Sequence, residues 1–143
     1  MSDMGAWIYV QAAGMDLLLP TADLREVVAA SPISPLPGRP KGIQGVVVYQ
    51  GEFLPVLAWE DLPGCQAPQA PPVAMAVLRP RLAIPIEHMI GAMDLPPGAR
   101  QEVDEIDPTQ GWTGGTCEVE GQVFRMVDTD RLIALLQRFR GHR

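Results

Sequence analysis

The sequence predicts a mainly β chain, folded as two small closed barrels and ending in one amphipathic helix. Three observations carry that prediction. The chain holds 14 Gly and 15 Pro among 143 residues, which punctuates it too often for a helical bundle. Short β-branched and apolar runs come in pairs around turn residues, as Ile43–Tyr49 and Glu52–Leu57 do around Gln50-Gly51. The chain also repeats itself.

The repeat runs the length of the sequence. At an offset of 70, Gly45 meets Gly115, Gly51 meets Gly121, and Phe53, Leu54, Val56 and Leu57 meet Val123, Phe124, Met126 and Val127. At an offset of 65, Leu17 meets Leu82, Leu24 meets Met89 and Val28 meets Met93. The matched glycines have a physical basis, since a turn with positive φ or a close backbone approach excludes a Cβ. The expected organisation is one domain over 1–143 with two barrel halves, 1–66 and 73–143, around a Pro-rich stretch at 63–72. Halves of that size bury too little surface alone, so they should pack together and close their edges as barrels.

The elements follow in order. Trp7–Ala12 and 17–19 read as strands around Ala13-Gly14, and Pro20 stops the second. Thr21 then caps a short helical turn whose Leu24, Val27 and Val28 form an i, i+3, i+4 stripe. Four prolines make 31–40 a loop. In the hairpin that follows, Pro55 lacks a donor, so its strand should have a free edge there. A second strand pair, 73–78 and Leu82–Ile86, precedes a turn carrying Met89, and the acidic stretch 96–114 reads as a surface excursion. The hairpin 116–120 and Gln122–Val127 leads into a helix bearing Leu132, Leu135, Leu136 and Phe139. Asp128 and Asp130, with Glu60 and Asp61 in the first half, read as caps of helix starts.

Charge and motif content exclude several functions. Eleven Lys and Arg stand against 17 acids, a net charge of −6, which is the wrong sign for displacing counterions from nucleic acid. There is no basic leader and no apolar run near ~18 residues, so no signal peptide or membrane insertion is expected and the location is read as cytoplasmic. Cys65 and Cys117 lack metal-type spacing and read by default as reduced thiols, with a disulfide the unsupported alternative. His88 follows a strand and His142 lies near the end; neither belongs to a ligand or catalytic pattern. Gly111 to Gly115 is Gly-rich, but no basic helix start follows it, so it reads as a turn before a strand. No catalytic residue, metal or cofactor is expected, although a cysteine-dependent enzyme is formally open. The 47 % apolar content, with seven Met, exceeds what two small barrels need. Some of Val46, Val48, Tyr49, Met89 and Met93 should therefore face outward as a protein-binding surface.

Residues 17–57 then bring a family into view. Leu24-Arg25-Glu26-Val27-Val28, Pro35-Leu36-Pro37-Gly38-Arg39-Pro40, and Gly45-Val46-Val47-Val48-Tyr49-Gln50-Gly51-Glu52-Phe53-Leu54-Pro55-Val56 resemble in order and spacing the first half of CheW-like domains. The second half, with Val127-Asp128-Thr129-Asp130-Arg131-Leu132, matches more loosely. The resemblance implies two pseudo-symmetric five-stranded Src-homology-3-like barrels. It also implies a non-catalytic adaptor joining the regulatory domain of a CheA-type histidine kinase to chemoreceptor cytoplasmic tips or to an accessory signalling array, such as one for pilus motility. The alternative within the fold is a scaffold for another signalling or polarity protein without receptor contact. By the resemblance, receptors dock between the barrels and the kinase at barrel ends, which assigns binding to Arg25, Glu26, Ile33, Val46, Val48, Gln50 and Gly51. The family usually reads Asn-x-Arg-Gly, with an Arg tied to receptor contact, where this chain has Val48-Tyr49-Gln50-Gly51.

Overall fold

Apolar runs without alternation require burial on both faces, and the arrangement of the strands shows how this chain meets that requirement. The computed structural model describes residues 7–96, 98–103 and 111–141. In order they form β1 (Trp7–Ala12), β2 (Met15–Pro20), a 3-10 turn (Thr21–Asp23), β3 (Leu24–Ala29), β4 (Ile43–Tyr49) and β5 (Glu52–Leu57). A second 3-10 turn (Trp59–Asp61) precedes β6 (Ala74–Leu78), β7 (Leu82–Ile86), β8 (His88–Met93), β9 (Arg100–Val103), β10 (Thr113–Val119), β11 (Gln122–Val127) and helix α1 (Thr129–Gly141).

The strands make two sheets, ordered β3-β6-β7-β5-β4 and β8-β1-β2-β11-β10-β9. The first is barrel 1 and the second barrel 2. Each curls around its own interior. Val47, Leu54, Val56, Met75, Val77 and Ala83 fill barrel 1, and Leu18, Leu95, Cys117, Phe124 and Met126 fill barrel 2. A larger cluster lies at the seam, where Val10, Leu17 and Leu19 of one sheet meet Ala76, Leu82 and Ile84 of the other. Alternate residues of β6 and β7 therefore serve the barrel interior and the seam, and all ten are buried.

The sheets do not follow the division of the sequence at 63–72. Barrel 1 takes β3–β5 from before the Pro-rich stretch and β6–β7 from after it, and barrel 2 takes β1–β2 from before and β8–β11 from after. Each half hands its first hairpin to the other barrel. The repeat nevertheless holds in three dimensions. The β4–β5 register skips a residue between Ile43 and Gly45, and β10–β11 skips one between Thr113 and Gly115. The parallel contact Val56↔Ala83 in barrel 1 corresponds to Met126↔Leu18 in barrel 2. Barrel 2 has six strands because β9 pairs with β10 over four residues; barrel 1 has only the bridge Ser34↔Val46 at that place.

Several sequence expectations are corrected. Leu24, Val27 and Val28 lie on a strand, and only Thr21–Asp23 is helical. A bulge at Arg25 is responsible: Leu24 pairs with Leu78 and Val27 with Ala76, so residues three apart share a face as they would on a helix. The segment carrying Met89 is likewise strand β8, which His88 opens. The stretch 96–114 is not only a surface excursion, since it supplies β9 and the fully buried Trp112; 104–110 lies outside the described residues.

Pro55 does not sit on a free edge, because β5 runs between β7 and β4. On the β4 side its missing N–H is without consequence, because Val46, opposite it, exchanges both backbone hydrogen bonds with Ser34 at 2.8 Å. No ladder bond to Pro55 is called for on that side. Glu60 and Asp61 do not cap their 3-10 turn; Asp61 instead accepts the Gly42 N–H at 2.8 Å and pairs with Arg39 at 3.2 Å. Asp128 does cap α1, accepting the Arg131 N–H at 3.0 Å.

Candidate docking surface

Strand β4 is an edge strand, and alternation along it creates two different surfaces. Val47 and Tyr49 point to the barrel interior and pair with Leu54 and Glu52; Val46 and Val48 point outward and pair with Pro55 and Phe53. Val48 is 65 % exposed and Phe53 is 72 % exposed, so an apolar cross-strand pair stands in solvent on the outside of barrel 1. Val46 and Pro55 extend it half-buried. At the equivalent places in barrel 2, Glu118 pairs with Val123 and Thr116 with Arg125. The two hairpins meet the same folding requirements, yet only one of these faces is apolar throughout.

The mouth of the same barrel is polar. Gln50 and Gly51 turn the hairpin with φ of 50° and 78°, which presents Gln50 beside β3. Arg25 lies in the β3 bulge with its side chain exposed. Its Nη2 donates to Gln50 Oε1 at 3.5 Å, and its guanidinium lies 5.9 Å from the Tyr49 ring centre. Tyr49 donates its hydroxyl to Glu26 Oε2, and that hydrogen bond, with some burial, raises the Tyr49 pKa above its usual value. Arg81, in the β6–β7 turn, closes the mouth through a 2.5 Å ion pair with Glu52. Arg25, Tyr49, Gln50, Glu52 and Arg81 rim a cavity of about 230 Å³ floored by Leu54, Val77 and Leu78.

Arg25, Glu26 and Gln50 thus come together at the mouth, while Val46 and Val48 lie on the adjoining outer face. Gly51 occupies the turn between them. Ile33 stands apart. It packs half-buried against the barrel 1 interior, and its Cγ2 would lie 2.9 Å from a Cβ at position 45. Phe53, Glu52 and Arg81 complete the surface but were not among the assigned residues; Tyr49, offered as an outward-facing residue, instead packs half-buried against the barrel 1 interior. For Phe53 the signal was available: strand alternation from Leu54 and Val56 places it outside. The Glu52–Arg81 pair joins distant segments and has no local signature.

The other residue types considered for chemistry are placed unfavourably for it. Cys65 is half-buried, and burial pushes its thiol up to about 11, against the opposing charge of Arg125. Cys117 is buried and also raised. Thiols so placed are protonated at neutral pH and are poor nucleophiles. Among the described residues, no group of His, Cys, Asp and Glu could hold a metal ion. No helix among them is long and apolar enough to cross a membrane.

The model of the CheW-like domain family matches residues 6–137. The chain belongs to the CheW-like domain family. Its fold agrees with that of the scaffolding protein CheW from Thermoanaerobacter tengcongensis, at 12 % sequence identity and a TM-score of 0.73 over 90 % of this chain and 91 % of that one. No individually curated protein matches it significantly. As in CheW-like domains generally, the two barrels are Src-homology-3-like, and the family's general role is that of an adaptor and scaffold in chemotaxis-type signal transduction. In this chain a charged barrel mouth stands beside an apolar outer hairpin face.

Proposed function

We propose that this chain is a non-catalytic adaptor that holds a CheA-type histidine kinase through barrel 1, docking the kinase regulatory domain on the outer β4–β5 face. One observation carries the reading: Val48 and Phe53 are 65 % and 72 % exposed, where the equivalent pair in barrel 2 includes a charged Glu118. A solvent-facing apolar pair on an edge strand is a liability for a free protein and an anchor for a bound one. The scaffold acts by orienting its partners and raising their effective concentration. Chemoreceptor tips are the second partner, with Arg25, Glu26 and Gln50 of the barrel mouth as the polar contacts.

The test is titration of the regulatory domain of the cognate kinase. Val48→Asp combined with Phe53→Ser should weaken binding by tenfold or more, a loss of ~1.4 kcal/mol or more, while the circular dichroism spectrum stays the same. Binding that survives both changes, or is absent for the unaltered chain near ~100 μM (a Kd already weak for a dedicated partner), rejects the kinase reading. Binding to another signalling protein without receptor contact would then favour the alternative scaffold.

A further inference from the structure

A second concave surface lies where α1 crosses barrel 1. Its apolar floor and walls are Leu36, Ile43 and Pro55 from the barrel, with Ile133 and Leu136 from the helix, around a cavity of about 360 Å³. Lys41, Arg81 and Arg140 stand at its rim, and among the described residues none of those lining it is Asp or Glu. In a chain with 17 acids against 11 bases, that is a local reversal of charge. Glu52 pairs with Arg81. Lys41 lies with its Nζ 4.5 Å from the Phe139 ring centre, a contact that leaves its positive charge in place.

The backbone around the groove restricts what can enter. Pro40, Pro55 and Pro80 line it and have no N–H to give. The Ile43 N–H is already donated to the Pro40 carbonyl at 3.1 Å, and Leu82 is paired in the β6–β7 ladder. An extended peptide adding itself as a strand would find few backbone partners here. A segment whose backbone hydrogen bonds are satisfied internally meets no such obstacle.

We propose that the groove between α1 and barrel 1 takes an acidic amphipathic helix from a partner protein. Its apolar face lies on Leu36, Ile43 and Ile133, and its carboxylates face Lys41 and Arg140. The groove meets the adaptor surfaces only at Arg81 of the barrel mouth and Pro55 of the outer β4–β5 face, and neither Val48 nor Phe53 lines it.

The probe is a synthetic peptide of about four helical turns, with Leu at i, i+3, i+4 and i+7 and Glu at its flanks, titrated into the full ¹⁵N-labelled chain. Shift changes should centre on Leu36, Ile43, Ile133 and Gln137, and binding should weaken as salt is raised. Replacing the peptide's Glu by Lys should weaken binding at least ~tenfold, as should Lys41→Glu with Arg140→Glu in the protein. The milder pair Lys41→Gln and Arg140→Gln serves if the reversal variant does not fold. Val48→Asp with Phe53→Ser should leave peptide binding unchanged, which separates this site from the kinase surface. Equal binding of the Lys peptide, shifts centred elsewhere, or no binding up to ~1 mM overturns the proposal. So does occupation of the groove by phosphatidylglycerol vesicles or by a second copy of the chain in place of the peptide.

Discussion

A thiol surrounded by apolar groups resists ionisation, and Cys65 ties its stretch of chain to the seam in that way. In the unfolded chain it ionises near the ordinary value of 9.0, and in the folded chain only at about 11. Between those values the unfolded state has lost a proton that the folded state keeps. The thiol's contribution to stability is therefore complete below the lower value and declines as pH rises through the upper one. Cys65→Ala should lessen the loss of stability over that window, measured by denaturant melts at stepped pH; parallel curves for the two proteins would show that burial does not perturb this thiol. Gln50 raises a different question, because the resemblance to CheW-like domains implies an Arg in its place. Glu26 there accepts the neutral Tyr49 hydroxyl, and an added guanidinium can form a charge-assisted contact with its carboxylate. Gln50→Arg should tighten binding to a chemoreceptor tip by about tenfold, or ~1.4 kcal/mol, in a titration; unchanged affinity would show that this position does not govern receptor contact here.

At the scale of the element, the hairpin β4–β5 depends on one glycine for a steric reason. A Cβ at Gly45 would lie 2.3 Å from the Ser34 carbonyl oxygen and 2.9 Å from Ile33 Cγ2, so the Ser34 bridge can approach β4 only where no side chain stands. Gly45→Ala should destabilise the chain by about 3 kcal/mol, the upper end for overpacking, because a backbone oxygen cannot rotate away as a side chain can. Chemical denaturation measures the loss, and a change below about 0.5 kcal/mol, ordinary for surface substitutions, would mean that the bridge is dispensable. Gly45 and its counterpart Gly115 were legible as a repeat, as were both hairpins, because turn chemistry and alternation are local. Strand β3 was not. Its bulge at Arg25 shifts the alternation by one residue, so Leu24 and Val27 imitate helical spacing, and sequence periodicity alone does not distinguish the two. Ile33 was assigned to the surface by resemblance, and its side chain packs half-buried against the barrel 1 interior. The Glu52–Arg81 pair was invisible because it depends on which strands become neighbours.

On the scale of the whole molecule, the exchanged hairpins decide how the chain can be divided. A cut in 63–72 would be harmless to barrels built from separate halves, but here each half lacks two strands of the barrel holding its other strands. The fragment 1–66 would expose the β1–β2 faces that serve the seam and barrel 2, and 73–143 would likewise expose β6 and β7, which are buried throughout. The seam adds contacts across the cut: the Trp59 and Trp112 rings meet edge to face with centres 5.8 Å apart, and Trp59 Nε1 donates to the Pro85 carbonyl at 2.9 Å. Buried Glu87 ties the join between β7 and β8 to the other half by accepting the Ala13 N–H at 2.7 Å. Neither fragment should fold alone, because burying large apolar side chains contributes ~1.5–3 kcal/mol each and each fragment forfeits many. Mixed together, the two should recover the strand spectrum and Trp burial of the intact chain, with a midpoint that rises with fragment concentration. Independent folding of either fragment, read as a cooperative melt on its own, would show that the hairpin exchange is not what holds the two barrels together.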